Sequence, residues 1–280
     1  MAADKRWLVI SARPSDDTRE AVSEGLLALG ASAVHEHDGE MISYFPPPEE
    51  LDVWLALARA SLRTDFTWRW QDDEDWSQTW KRGLQPRRVG RHFVVAPSWT
   101  EPAKRAGDRL IVIDPEMAFG TGEHATTRGA LRFLEQVIKH GDRVLDVGTG
   151  SAILAIGAAL CGADEVIAVD YDEDAILNAR DNVKRNHAEH VVALATAMVD
   201  EAYLRPHAGA FDIVAANVLS SVLHPLLPAF HTTLKPSGFL ILGGILESEA
   251  DDMIEAARSA GFTLKAEDLE EEWWGGLFRR

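Results

Sequence analysis

Residues 143–160 run RVLDVGTGSAILAIGAAL. An apolar stretch ends in Asp146 and Gly148-Thr149-Gly150, and small apolar residues follow at once. A buried strand, a tight glycine loop and a helix packed close to its own strand have this composition. Asp170 stands 20 residues beyond Gly150 and closes a second apolar run, EVIAVD at 165–170. In a parallel sheet, a carboxylate at that place accepts hydrogen bonds from both hydroxyls of a ribose. The alternation continues downstream. Apolar segments at 190–195, 211–216 and 237–243 are separated by amphipathic helices, and 262–269 with 273–278 forms an antiparallel-looking pair. The pattern predicts a doubly wound, Rossmann-like α/β sheet with helices on both faces.

A second glycine loop lies upstream, in DPEMAFGTGEHATT at 114–127. Five residues, PEMAF, separate Gly120 from the preceding strand, and no strand-ending acid follows at the right distance. The downstream loop is therefore the nucleoside-binding one. A pyrophosphate cradle needs a third small residue for close helix–strand packing, and Ile153 is bulky there. Asp146 also precedes the loop, where an acid is poorly placed against a pyrophosphate and well placed against a cation. Both features favour S-adenosylmethionine over a nicotinamide dinucleotide. Asp146 has a plainer role open to it as well, holding the loop through backbone N–H groups.

FDIVAANVLSSVL at 211–223 ends a strand at Asn217, beside the reacting end of such a ligand. Val218, Leu219 and Ser220 follow, with no aromatic platform on which an extruded base would stack. An aliphatic amine suits this place better than a nucleobase. Capping the helix that follows is a second role open to Asn217.

Toward the N-terminus, KRWLVISA, a helix-like PSDDTREAVSEGLLALGA, AVHE and EMISYF around HDG, PPPEELDVWLALARASL and DFTWRW give the order β-α-β-β-α-β. We expect a small ferredoxin-like α+β domain at 1–71, a linking helix at 72–84 bearing Trp76 and Trp80, and the larger domain at 85–280. RHFVVAPSW and DRLIVID supply two strands at its entrance. His35 and His37 share a strand face without a third ligand, so no metal is expected. Trp68 and Trp70 also share a face and are expected to pack, and Trp273 and Trp274 to close the last strand pair.

The 280 residues carry a net charge of −17. An acidic surface repels phosphate backbones and attracts basic proteins, so no direct nucleic-acid binding is expected. The start shows no basic stretch before an apolar core, and no apolar run is long enough for a bilayer. The lone Cys161 sits on an apolar helix face as a small hydrophobe. These features point to a cytoplasmic, monomeric protein that does not bind membranes.

DPEMAFGTGEHATTR, VLDVGTGS-x-ILAI, AVDYD, N-x-x-x-N within ARDNVKRN, ANVL and LKPSGFLILGGIL occur in order. Together they resemble the family that methylates ribosomal protein L11 (PrmA-type), over about residues 73–280. The resemblance implies an S-adenosylmethionine-dependent methyltransferase acting on lysine ε-amines and the N-terminal α-amine of a ribosomal protein. In that family the small domain recognises the substrate. The family's cofactor contacts fall on Thr127, Gly148, Asp170 and Asn217, and Phe119, Gly120 and Thr121 match the loop over the methionine part. Asp146 and Gly150 join them from the reading of the glycine loop. Asn217 is the expected catalytic residue, orienting the amine, and His124 has two roles open to it, packing the loop or relaying the proton. Ala152 stands where the family usually has glycine, Glu116 also replaces a glycine, and Tyr171 replaces an aliphatic residue. Related enzymes with the same loops methylate lysines of other proteins, and a nucleic-acid methyltransferase is the alternative class.

Overall fold

A computed structural model describes residues 6–15, 18–31, 34–37, 40–48, 50–62, 64–72, 85–114 and 124–280. The chain divides into two compact units, Met1–Leu84 and Gln85–Arg280. The linking helix expected at 72–84 falls, from residue 73 on, outside the described residues.

In the first unit, β1 (Arg6–Ala12), α1 (Arg19–Ala28), β2 (His35–His37), β3 (Glu40–Phe45), α2 (Leu51–Leu62) and β4 (Phe66–Asp72) follow in the expected order. The sheet order is β2-β3-β1-β4, all antiparallel. Alternate residues of a strand share one face, so Leu8 and Ile10 of β1 meet Val22 and Leu26 of α1 and Leu55 and Leu62 of α2. Trp70 packs against this core, while Trp68 is 40% exposed and its ring meets Trp70 edge-on at 6.3 Å.

The second unit opens with β5 (Arg87–Val89), β6 (Phe93–Ala96) and β7 (Arg109–Val112), which form a separate three-stranded sheet. Its β6–β7 pair is parallel, which the short apolar runs did not reveal. Next come α3 (Ala125–Val137), β8 (Arg143–Val147), α4 (Ile153–Cys161), β9 (Glu165–Asp170), α5 (Glu173–Arg185) and β10 (Val192–Thr196). The chain continues through α6 (Glu201–Leu204), β11 (Phe211–Asn217), α7 (Ser220–Thr233), β12 (Leu234–Leu246), α8 (Ala250–Ser259), β13 (Thr263–Glu270) and β14 (Trp273–Arg279). The seven-stranded sheet has the order β10-β9-β8-β11-β12-β14-β13.

The sheet is buried on both sides by strict alternation. Val144, Ile213, Ala215 and Ile241 face one core, and Leu145, Val147, Val214, Ala216, Leu240 and Leu242 face the other. Each large aliphatic side chain so buried contributes about 1.5–3 kcal/mol. The last two strands show what decides sheet position. β14 inserts between β12 and β13, antiparallel to both. Its WWGGLF stretch is almost wholly buried, whereas β13 alternates between exposed and half-buried residues. The strand with two apolar faces takes the interior and the amphipathic one takes the edge. Burial pushes the Cys161 thiol up to about 11, so it behaves as a small apolar side chain.

Candidate active site

The chain leaves β8 for β9 and β10 on one side, then returns to β11 on the other. That reversal opens a crevice beyond the carboxyl ends of the strands. Three of the expected residues arrive there directly: Asp146 near the end of β8, Asp170 ending β9 and Asn217 ending β11.

Gly148 and Gly150 adopt φ of +68° and +53°. A Cβ on Gly148 would stand 2.3 Å from Val218 Cγ1, so only glycine lets the loop pass under the end of β11. The loop is pinned to β9 by Gly148 N and Thr149 N donating to Val169 O, at 2.8 and 3.0 Å. Gly150 N donates to Asp170 Oδ2 at 2.9 Å, and Asp172 N donates to Asp170 Oδ1 at 3.1 Å. Asp170 thus fastens the loop and still has a free lone pair on each oxygen.

Asp146 is buried. Its Oδ2 accepts from Thr149 Oγ1 at 2.6 Å and from Ala155 N at 3.1 Å, while Oδ1 has no partner. Burial pushes its carboxyl up to about 6; the bonds from Thr149 and Ala155 hold it down, and the charge of Asp170 adds to the rise. Both roles open to Asp146 are therefore divided between its two oxygens, one fastening the loop and the other left open. Ala152, just ahead of α4, is fully buried at φ +66°, a left-handed conformation in which glycine is at ease. The departure at this position appears as backbone strain under the loop.

Asn217 Nδ2 donates to Thr127 Oγ1 at 3.3 Å, in the first turn of α3. That bond aims the carboxamide, and Asn217 Oδ1 is left buried without a partner. Among the described side chains of this unit, Asp146 Oδ1 and Asn217 Oδ1 are the buried polar atoms with no partner. Leaving such an atom unpaired costs about 1–3 kcal/mol. Two orphaned acceptors at one crevice fit a ligand that brings a cation and a donor, as S-adenosylmethionine and an amine do together. Behind Asn217 lies Gly243, its partner in β12. A Cβ there would stand 2.7 Å from Asn217 Oδ1. Gly244, at φ +78°, would put a Cβ 2.5 Å from Val218 O. This glycine pair lets β12 accommodate the end of β11, and two glycines inside an apolar strand are the signal that marks it in sequence.

Phe119, Gly120 and Thr121 lie outside the described residues, as does all of 115–123. The two flanks of that stretch are described. Downstream, His124 Nδ1 lies 2.8 Å from Thr126 Oγ1, and its ring meets Trp273 edge-on at 4.7 Å, so His124 packs the start of α3. Arg128 and Arg132 tie α3 to Glu270 and Asp268 of β13. Upstream, an asparagine ladder holds Val112 and Asp114. Asn186 bonds both polar groups of the Val112 backbone, at 2.8 and 2.7 Å. Asn182 Oδ1 accepts from Asp114 N at 3.1 Å, and Asn178 Nδ2 donates to Asp114 O at 3.3 Å. Asn182 Nδ2 also donates to Ser151 O at 3.2 Å, which joins the ladder to the glycine loop. The Asp114 carboxylate accepts from Ser98 N and Oγ, both at 2.7 Å, and pairs with Arg185 at 3.0 Å. The asparagines recur every fourth residue, which puts them on one helix face.

Three comparisons bear on this arrangement. A family model described as "Ribosomal protein L11 methyltransferase (PrmA)" matches residues 15–280. A protein named ribosomal protein L11 methyltransferase from Streptococcus equi subsp. zooepidemicus is 38% identical, with 99% of this chain and 96% of the relative aligned. One of the same name from Symbiobacterium thermophilum is 42% identical over 74% of this chain and 66% of its own length. The crystal structure of a ribosomal protein L11 methylase from Lactobacillus delbrueckii subsp. bulgaricus superposes with a TM-score of 0.64 at 29% identity, covering 70% of this chain and 98% of that one.

Proposed function

The chain belongs to the ribosomal protein L11 methyltransferase family, and on that footing we propose that it methylates lysine ε-amines and the N-terminal α-amine of ribosomal protein L11, with Asn217 orienting the amine. It is an S-adenosylmethionine-dependent enzyme of the Rossmann-like methyltransferase fold. The observation that carries the proposal is the aimed carboxamide of Asn217: Nδ2 is committed to Thr127 and Oδ1 is buried and open.

S-adenosylmethionine supplies a methyl group activated by a sulfonium charge. In this reading the free lone pairs of Asp170 accept the ribose hydroxyls, and Gly148 and Gly150 let the backbone come close to the nucleoside. Asp146 Oδ1 faces the positive charge, directly or through a water. Thr127, expected to touch the cofactor, also acts through Asn217 as a positioning residue. Phe119, Gly120 and Thr121 cover the methionine part. The attacking amine must be neutral, although a free lysine amine titrates near about 10.4. Burial at the end of β11 and the neighbouring positive charge both lower that value. No dedicated base is then needed, and the residues of the crevice work chiefly by alignment and exclusion of water. The small unit 1–71 recognises the substrate protein, and the acidic surface suits a basic one.

Transfer of labelled methyl groups into purified L11, ribosomal RNA and a lysate tests the proposal. Label in L11, mapped to lysines and the N-terminus by mass spectrometry, is the expected result. Label in RNA alone would overturn the proposal. Asn217→Ala should lower kcat far more than it weakens cofactor binding, and equal losses would show that Asn217 only holds the cofactor.

A further inference from the structure

Beside Asn217 the rim of the crevice is apolar where solvent reaches it. Leu219 is 65% exposed, Val222 45% and Leu246 38%, high values for large aliphatic residues. They stand at the start of α7 and the end of β12. Glu249 bridges their elements, accepting from Ser220 Oγ at 2.7 Å and from Leu246 N at 3.1 Å. Leu246 pairs with Trp273 across β12 and β14, and Glu247 N donates to Glu272 O at 2.9 Å.

The charge around this ledge is predominantly acidic. No lysine or arginine occurs between 236 and 257, where Glu247, Glu249, Asp251, Asp252 and Glu255 stand, and Glu270, Glu271 and Glu272 close the β13–β14 turn. Glu270 is tied to Arg128 and Arg132, and Glu271 lies 3.8 Å from Arg128. Glu247 and Glu272 are exposed, and no ion pair engages them among the described residues. We propose that Leu219, Val222 and Leu246, with Glu247 and Glu272, form a docking ledge for the basic segment that flanks the target amine of the substrate protein.

The inference rests on the reading of the substrate as a protein amine. Lysine and arginine side chains lay apolar stems on aliphatic surface while their charged ends reach acids a few ångströms beyond. A ledge of leucine and valine inside an acidic rim offers both, next to Asn217. A phosphate backbone would meet repulsion at the same place, as would a second copy of this acidic chain.

The test uses full-length enzyme and purified L11. Val222→Ser with Leu246→Ser should raise KM for L11 about tenfold, the loss expected from a few apolar contacts. The cofactor Kd and kcat should hold within about twofold on the same scale. Glu247→Gln with Glu272→Gln should flatten the fall of kcat/KM with added salt. Thermal melts check that each variant folds, and the charge pair keeps the test open if the apolar pair does not. An unchanged KM with an unchanged salt slope overturns the ledge, as does a parallel loss of cofactor affinity. Failure of the wild-type enzyme to label any protein would instead overturn the reading on which the ledge rests.

Discussion

Titrating S-adenosylmethionine affinity against pH tests the division of labour within Asp146. Its carboxyl is pushed from the ordinary 3.8 up to about 6, with burial as the largest cause and Asp170 adding to it. Between these values the unfolded chain has already lost the proton while the folded, ligand-free protein keeps it. The contribution of Asp146 to stability is therefore full below pH 3.8 and is lost as pH rises through about 6, about 3 kcal/mol in all. A cation against Oδ1 favours the carboxylate, so binding expels the proton. If bound ligand restores the ordinary value, affinity should rise about tenfold from pH 5 to pH 7.5 and then level off. Calorimetry in two buffers of different ionisation enthalpy should count close to one proton released per site at pH 5 and none at pH 8. Asp146→Asn should keep an oxygen for Thr149 and Ala155, lose the pH slope, bind the ligand weakly and melt higher than wild type at neutral pH. A slope that survives in the asparagine variant, or a flat wild-type profile, would refute this account.

The remaining predictions concern single contacts. Asp170→Ala removes two ribose acceptors worth about 1.5 kcal/mol each, so Kd for the cofactor should rise about 100-fold by calorimetry. Gly243→Ala places a Cβ 2.7 Å from Asn217 Oδ1; steady-state kinetics should show kcat reduced about tenfold or more while cofactor Kd holds, with about 1–3 kcal/mol lost in denaturant melts. Asn182→Ala strips a buried side chain from Asp114 N and Ser151 O; it should cost about 2–4 kcal/mol and speed amide exchange at Asp114. Ala152→Gly trades about 1 kcal/mol of left-handed strain for a lost buried methyl and a freer unfolded chain, so its melting midpoint should barely move.

The strand–loop–helix at 143–160 and the strand-end places of Asp170 and Asn217 were legible because each is fixed by neighbours a few residues away and by one rule of parallel sheets. The family match agrees with that reading of the fold and of the methyltransferase. Gly243 was hidden because its constraint comes from Asn217 on an adjacent strand, 26 residues away. The spacing of Asn182 and Asn186 was legible as a motif, but the role of the asparagine face of α5 was hidden for a different reason. Polar residues at helical spacing ordinarily mark solvent, and here they mark a buried strand edge that only the fold supplies. The place of β14 depended on comparing burial along two strands, which an alternation pattern alone does not rank. At Ala152 the sequence marked a departure, and the backbone angle supplied its meaning.

The asparagine ladder also has a colloidal consequence. β7 is an outer strand of its small sheet, and an outer strand ordinarily offers its N–H and C=O groups to any extended chain that meets it. Asn186 occupies both groups of Val112, and Asn182 and Asn178 take those of Asp114. Side-chain amides have thus closed the seam along which another molecule could add a strand. Removing the ladder should expose a short β-branched edge, and aggregation on storage would rise along with any loss of catalysis.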